Sequence, residues 1–303
     1  MKKVLVLMST FNGIEFLEEQ INSIFSQIGV EVDLLIRDDG SSDGSREYLW
    51  SYREKFNDVM RIIKGQNIGA KKSFLELICV AKDEYDFYAF ADQDDIWDED
   101  KLISAVRLLE KENMKMPLIY ASPVREFKGG EVGKVYFNES NQFTFGNFLI
   151  KNYFPGCTMV FNGRLKQLVR SCDISQLPSY PLHDHWLNLI CTGCGGKVIM
   201  DTEPHILYRI HDRNEVGIRK NIVAKIMENG LFTDENIRLH IAERFYQEYN
   251  GYMSSDAREI LKKVISYKKS MKNHFRLAFD RRVKPIRYLE KIVIMMNVIL
   301  GKF

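Results

Sequence analysis

The chain has 303 residues, 45% hydrophobic and 28% charged, enough to enclose a large domain with an appendage and unlike the composition of a disordered protein. Its net charge of +2 hides an asymmetry: residues 258–303 hold 13 Lys or Arg against 3 Asp or Glu, a net of +10, which leaves −8 for residues 1–257. No run of 18 uncharged apolar residues exists, so no membrane-spanning helix is expected, and five cysteines without framework spacing argue against an oxidised secreted scaffold.

The first residues, Met1-Lys-Lys-Val-Leu-Val-Leu-Met8, look like the start of a secretion signal, but the apolar run stops at Ser9-Thr10-Phe11-Asn12-Gly13. They read better as a buried strand over 4–7. A helix is predicted over 15–27, with Phe16, Leu17, Ile21, Ile24 and Phe25 near helical spacing. The alternation continues with strand 32–36, helix 45–56, strand 60–63, helix 71–81, strand 87–91 and helix 100–112. Strands that are apolar throughout, alternating with amphipathic helices, predict an α/β fold whose parallel sheet is covered on both faces. Beyond Pro117 the pattern loosens into a strand at 118–121, a hairpin about Lys128-Gly-Gly130, a segment at 154–161, a helix at 182–191 and a strand at 206–210. After residue 216 the chain reads as helical, with periodic apolar residues over 222–227, 237–249 and 260–267. A division into 1–215 and a basic, helical 216–303 is therefore expected.

Two acidic clusters end predicted strands. Asp92-Gln-Asp-Asp95 follows the run at 87–91, and Arg37-Asp-Asp-Gly-Ser-Ser-Asp43 follows the run at 32–36. Like charges this close repel, and a divalent cation is the natural way to hold them together. In open α/β sheets, ligands bind just outside the carboxyl ends of the strands. The pattern predicts a cleft that grips a metal and, through it, a phosphorylated small molecule. The plainer alternative is a pair of solvated turns, since Asp, Gly and Ser also favour loops and caps. Cys191-Thr-Gly-Cys194 is a lone CxxC with no second pair, so neither a zinc site nor a redox site is expected. Residues 281–300 place basic residues ahead of an apolar block, a pattern that suits either an anionic membrane surface or packing on the domain or a partner subunit.

Ser9-Thr-Phe-Asn-Gly13, Arg37-Asp-Asp-Gly-Ser-Ser-Asp43, Asn67-Ile-Gly69, Asp92-Gln-Asp-Asp-Ile-Trp97 and His183-Asp-His-Trp186, taken in this order, closely resemble the inverting family 2 glycosyltransferases of the GT-A fold. Within that family the chain resembles the bacterial rhamnosyltransferase-like branch, which builds surface polysaccharides. The resemblance spans residues 1 to about 215 and leaves the tail without a motif. It implies a Rossmann-like, mostly parallel sheet with helices on both faces. It implies metal-dependent transfer of a sugar from a UDP- or dTDP-sugar to a saccharide or lipid-linked acceptor. Thr10, Phe11, Asn12 and Asp39 would bind the nucleotide base, and Asp92 the ribose. Asp94 and His211 would hold Mn2+ or Mg2+, and Asp184 would be the catalytic base.

Some of these residues and their neighbours have duller alternatives. Asp39 suits an Asx-turn into Gly40, and Asp184 suits the N-cap of a helix beginning at His185. Asp95 suits the turn, and Asp98 or Asp100 the N-terminus of the next helix. Trp97 and Trp186 suit either sugar subsites or the core. Lys72, Arg209 and Arg213 are weak candidates for phosphate contact. Many relatives carry Glu where this chain has His183, which leaves Asp184 as the base. A binding protein with lapsed catalysis is the competing reading; a nucleotidyltransferase would need a glycine-rich, basic loop after the first strand. No nucleic-acid partner is expected, oligomerisation stays open, and a cytoplasmic place is expected, at the inner membrane face if the tail lies on it.

Overall fold

Val4, Val6 and Met8 project to one side of the first strand, Leu5 and Leu7 to the other, and all five are fully buried in two different apolar clusters. The next strand does the same, with Leu34 and Ile36 opposite Leu35, and so does the fourth, with Phe87, Ala89 and Ala91 opposite Tyr88 and Phe90. A strand buried on both faces has no place for alternating polar residues, which is why these segments are apolar throughout. The computed structural model describes residues 1–56, 58–136, 142–171, 181–211 and 237–303. The helix expected over 222–227, Arg213 and Cys172 lie outside them.

A seven-stranded sheet is formed by β1 (Lys2–Thr10), β2 (Val30–Asp38), β3 (Met60–Lys64), β4 (Phe87–Ala91), β6 (Leu118–Ala121), β9 (Val160–Asn162) and β10 (Lys197–Met200), in the spatial order β10-β6-β9-β4-β1-β2-β3. Every neighbouring pair is parallel except those made by β9, which runs against both β4 and β6. A smaller sheet, order β5-β11-β7-β8, joins β5 (Ile96–Trp97), β11 (Ile206–Arg209) and the hairpin β7 (Val124–Lys128) and β8 (Glu131–Tyr136). The helices α1 (Leu17–Phe25), α2 (Ser45–Arg53), α3 (Ala70–Val80), α4 (Lys101–Leu109), α5 (Phe145–Ile150), α6 (Gly163–Arg170) and α7 (His183–Gly193) cover the large sheet. This is the α/β arrangement expected, with helix bounds within three residues of the expected ones: α1, α2 and α4 are shorter, α3 is shifted back by one residue and α7 runs two residues further. α2, for example, gives way to a 3-10 turn over Glu54–Phe56.

The described part of the tail, 237–303, is helical, with α8 (Ile237–Tyr249), α9 (Ser255–Ser266), α10 (Met271–Ala278) and α11 (Tyr288–Ile299). Phe245, Tyr249, Ile260, Leu261 and Val264 join the same apolar cluster as Phe90 and Phe161 of the large sheet. Trp186 packs into that cluster against Phe245 and Tyr249, and Trp97 is buried in the other cluster beneath the Lys101 ammonium. The core role expected as an alternative for both indoles is the one observed, with Trp97 and Trp186 both buried. Among the described residues, no helix is long and apolar enough to cross a membrane.

Candidate active site

The carboxyl ends of β2, β1 and β4 lie side by side, and their exit loops are cross-linked. Thr10 Oγ1 and the Phe11 N–H both donate to Gln93 Oε1, at 2.7 and 2.9 Å, and Gln93 Nε2 donates back to the Phe11 carbonyl at 3.2 Å. A Cβ on Gly13 would sit 2.3 Å from the same Gln93 oxygen, so only glycine allows this approach. Asn12 holds a left-handed φ of 49°, tolerable for Asn, and its side-chain oxygen accepts from the Ser42 N–H at 2.9 Å. Phe11 remains exposed, whereas Thr10 is buried.

Asp39 is buried and heavily bonded. Its carboxylate accepts from the Ile68 and Gly69 amides, each at 2.9 Å, and is ion-paired to Arg37, whose guanidinium also holds Glu76 at 2.7 Å. The Asn67-Ile-Gly69 motif is thus the loop that this carboxylate fastens to the end of β2. The Asx-type turn expected as an alternative for Asp39 is made instead by Asp38, which accepts from the Ser41 N–H at 3.1 Å and pairs with Arg46 at 2.7 Å.

The acidic turn after β4 is pinned by β11. The Arg209 N–H donates to Asp95 Oδ1 at 3.1 Å, and Arg209 Nε donates to the Asp94 carbonyl at 2.8 Å. Arg209 is further paired with Glu19 and lies over the Phe16 and Phe127 rings, so it braces the turn rather than waiting for phosphate. His211 follows, stacked on Phe16 with ring centroids 4.9 Å apart, and its Nε2 lies 2.7 Å from Asp94 Oδ2. Asp95 does more than serve the turn. It is fully buried, its Oδ2 has no hydrogen-bond partner, and burial together with Asp94 lifts its carboxyl to about 7. Asp92 is pushed well above the usual carboxylate range, first by burial and then by the charges of Asp95, Asp94 and Asp184.

Ligand atoms of Asp92, Asp95 and Cys157 lie within 4.8 Å of one another. Burial pushes the Cys157 thiol up, so it stays protonated and is a poor partner for a hard cation. A set of crowded carboxylates, one of them with an orphaned oxygen, beside an imidazole suits Mn2+ or Mg2+ better than zinc. Asp98 and Asp100 do not cap α4 with their side chains: Asp98 pairs with Arg125, and Asp100 holds His205 Nδ1 at 2.9 Å.

Asp184 lies in the first turn of α7, two residues past the Leu182 N-cap, because the helix begins at His183 and not at His185 as the N-cap alternative requires. Its Oδ1 accepts from the His185 N–H at 2.7 Å and its Oδ2 from Asn152 Nδ2 at 2.8 Å; Asn152 Oδ1 in turn accepts from Asn188 at 3.0 Å. Burial raises this carboxyl to about 6, even though those donors favour its charged form. His183 beside it is buried and stacked on Phe74 at 4.0 Å, and burial drives its imidazole down to about 3, so it is neutral. His185 is also neutral and donates through Nε2 to the Phe148 carbonyl.

The structure therefore brings Thr10, Phe11, Asn12, Asp39, Asp92 and Asp94 to the carboxyl ends of β1, β2 and β4, with Asp184 of α7 and His211 beside the acids. Lys72 is exposed, while its neighbour Lys71 is buried close enough to depress His183. Gln93, Arg37 and Asn152 have roles here that the sequence does not announce. Gln93 stands inside the acidic motif after β4 and Arg37 at the head of the one ending β2; for Asn152, 32 residues from Asp184, no sequence signal exists. Cys191 and Cys194 are free, and burial lifts the Cys194 thiol to about 12, the reverse of a reactive pair.

Residues 5–171 match the family model described as glycosyl transferase family 2. The chain is 28% identical over 244 residues to the dTDP-rhamnosyl transferase RfbG of Shigella flexneri, covering 78% of this chain and 82% of that protein. Residues 1–349 of TarS from S. aureus, solved in complex with UDP-GlcNAc, superpose with a TM-score of 0.57 at 13% identity, covering 99% of this chain and 90% of that one. The mannosyltransferase PcManGT of Pyrobaculum calidifontis, solved with GDP-Man and Mn2+, superposes with a TM-score of 0.51 at 12% identity, covering 98% and 85%. With the family model matching more than half of its length and the GT-A architecture shared with these structures, the chain belongs to glycosyl transferase family 2 and is a glycosyltransferase.

Proposed function

We propose that this enzyme is a metal-dependent, inverting transferase that moves a sugar from a UDP- or dTDP-sugar to a saccharide or lipid-linked acceptor in bacterial surface polysaccharide synthesis. The observation that carries the reading is that Asp92 feels the charges of Asp94, Asp95 and Asp184 together, so the strand-end acids and the candidate base are close enough to act on one another. In this reading residues 1–215 hold the donor and the chemistry, and residues 216–303 form an accessory segment.

Each role follows from the chemistry of its side chain. Asp39 keeps one of its roughly four acceptor positions for a ring N–H, which uracil and thymine have and neutral cytosine lacks. Phe11 and Asn12 sit on the clamped loop beside it, and in this reading Asp92 takes the ribose. Asp94 and His211 are the residues to hold Mn2+ or Mg2+, which when bound would neutralise the charge growing on the leaving diphosphate. Asp184, with both oxygens oriented and a raised pKa, accepts the proton of the acceptor hydroxyl as that oxygen attacks the anomeric carbon from the face opposite the nucleotide. A single displacement of this kind inverts the anomeric configuration. The relatedness to a dTDP-rhamnosyl transferase and the retention of all the candidate acids favour catalysis over a lapsed binding role.

The test is nucleotide release by the full chain from a panel of UDP-, dTDP- and GDP-sugars, with Mn2+, Mg2+ or excess chelator. Turnover of a UDP- or dTDP-sugar that needs the metal supports the reading. Equal turnover in chelator would refute the metal role, and exclusive use of GDP-sugars would refute the base assignment.

A further inference from the structure

We infer that α10 and α11 form a docking face for an anionic membrane surface. On α10, Leu277 is buried, and Met271, Phe275 and Phe279, spaced four residues apart on the opposite side, are 46–65% exposed. On α11, Ile294 and Val298 are buried, while Tyr288, Ile292, Met296 and Leu300 form a second stripe, 41–74% exposed. At 100° per residue each stripe lies about 180° from the face its helix packs on the protein, where a surface helix ordinarily carries its polar residues. The two helices pack together, and His274 Nδ1 lies 3.1 Å from the Ile299 carbonyl, which ties the start of α10 to the end of α11.

Charge selects the occupant. The acids of this region are engaged within the protein: Asp280 with Lys263 and Arg282, Glu259 with Arg282, and Glu290 with Lys151 at 2.6 Å. Lys272 and Arg276 border the α10 stripe, and Arg281 and Lys284 occupy the connection between the helices, all four exposed. Aromatic and aliphatic side chains ringed by basic residues fit the boundary between anionic headgroups and acyl chains. A second copy of this chain would set one net +10 segment against another and be repelled. The inference goes beyond the transferase reading and stands without it.

The experiment is sedimentation of the full chain with vesicles of phosphatidylglycerol and phosphatidylcholine, against vesicles of phosphatidylcholine alone. The expected result is binding to the anionic vesicles that weakens with salt, with little binding to the neutral ones. A variant carrying Phe275→Ser, Phe279→Ser, Ile292→Ser and Met296→Ser, and another carrying Lys272→Gln and Arg276→Gln, should each lose about tenfold in partitioning. Both should retain nucleotide-sugar binding, a readout that separates failure here from failure of the transferase reading. If the fourfold variant does not fold, the charge variant and the salt titration decide. Absence of binding to anionic vesicles, binding undiminished in the variants, or wild-type self-association abolished by the fourfold change would each overturn the inference.

Discussion

His211 Nε2 lies 2.7 Å from Asp94 Oδ2, although 117 residues separate them along the chain. The imidazole is held from the other side by Phe16, and the turn carrying Asp94 by Arg209, so the pair is positioned before any cation arrives. His211→Ala should weaken Mn2+ affinity by about 10–100-fold and leave nucleotide-sugar binding at saturating Mn2+ nearly unchanged. Asp94→Asn should reduce both. Titration of donor binding against Mn2+ concentration measures the two effects, and an unaltered metal dependence in His211→Ala would remove His211 from the site.

The acid limb of the pH–rate profile should report Asp184. Its carboxyl titrates at about 6 and must be ionised to take a proton, so kcat/KM should fall tenfold per pH unit below that value. Asn152 donates to the same carboxylate and favours its charged form. Asn152→Ala should therefore move the limb upward, towards neutral pH. A limb that stays in place in this variant would mean that another group sets it.

Much of this arrangement can be read from the chain, for reasons visible in particular residues. Val4 to Met8 and Phe87 to Ala91 are apolar at every position because they feed two cores, and the acids after Ala91 mark where the second of these strands ends. What could not be read depends on distant pairing. The reversed strand β9 enters between β4 and β6 without a periodicity of its own, and β11 reaches the acidic turn from a second sheet. Trp97 and Trp186 carry no mark that separates a sugar platform from a core residue; only the helices packed over them decide. The hydrogen bond from Asn152 to Asp184 is likewise set by tertiary structure alone.

Asp184→Asn should inactivate the enzyme and also stabilise it. The folded carboxyl titrates about two units above its ordinary value, so folding takes up a proton between roughly pH 4 and pH 6 and stability declines as pH rises through that window. Above it the penalty is complete, on the order of 2–3 kcal/mol. The neutral amide escapes this penalty, so Tm should rise by about 2–5 °C at pH 7.5 and hardly change at pH 4. Transfer should fall at least about 100-fold, with donor affinity within a few-fold of wild type. Lower Tm at both pH values would show that the amide breaks the local bonding.

Gly13 and Gln93 should behave as a coupled pair. Gly13→Ala drives a methyl group into Gln93 Oε1, displacing the side chain that fixes Thr10 and Phe11. Gln93→Ala removes the same clamp directly. Each should raise the donor KM by about tenfold through loss of two or three hydrogen bonds. The double variant should be no worse than Gln93→Ala alone, because the clash has lost its target. Additive losses in this cycle would mean that Gly13 is needed for some reason other than contact with Gln93.

Lys101 is fully buried, its ammonium 3.8 Å from the centroid of the Trp97 ring and without a hydrogen-bond partner, and burial lowers it to about 7. In the folded chain the charge is therefore penalised below pH 7, and the penalty fades as pH rises towards 10.5, where the unfolded chain also loses its proton. Methionine has a similar reach and no charge to bury, and its sulfur suits the indole. Lys101→Met should raise Tm by about 3–6 °C at pH 6.5, with a gain that shrinks markedly by pH 10. A gain equal at both values would trace to packing instead of charge, and a loss at pH 6.5 would mean that the attraction of Asp95 for the ammonium outweighs the cost of burying it.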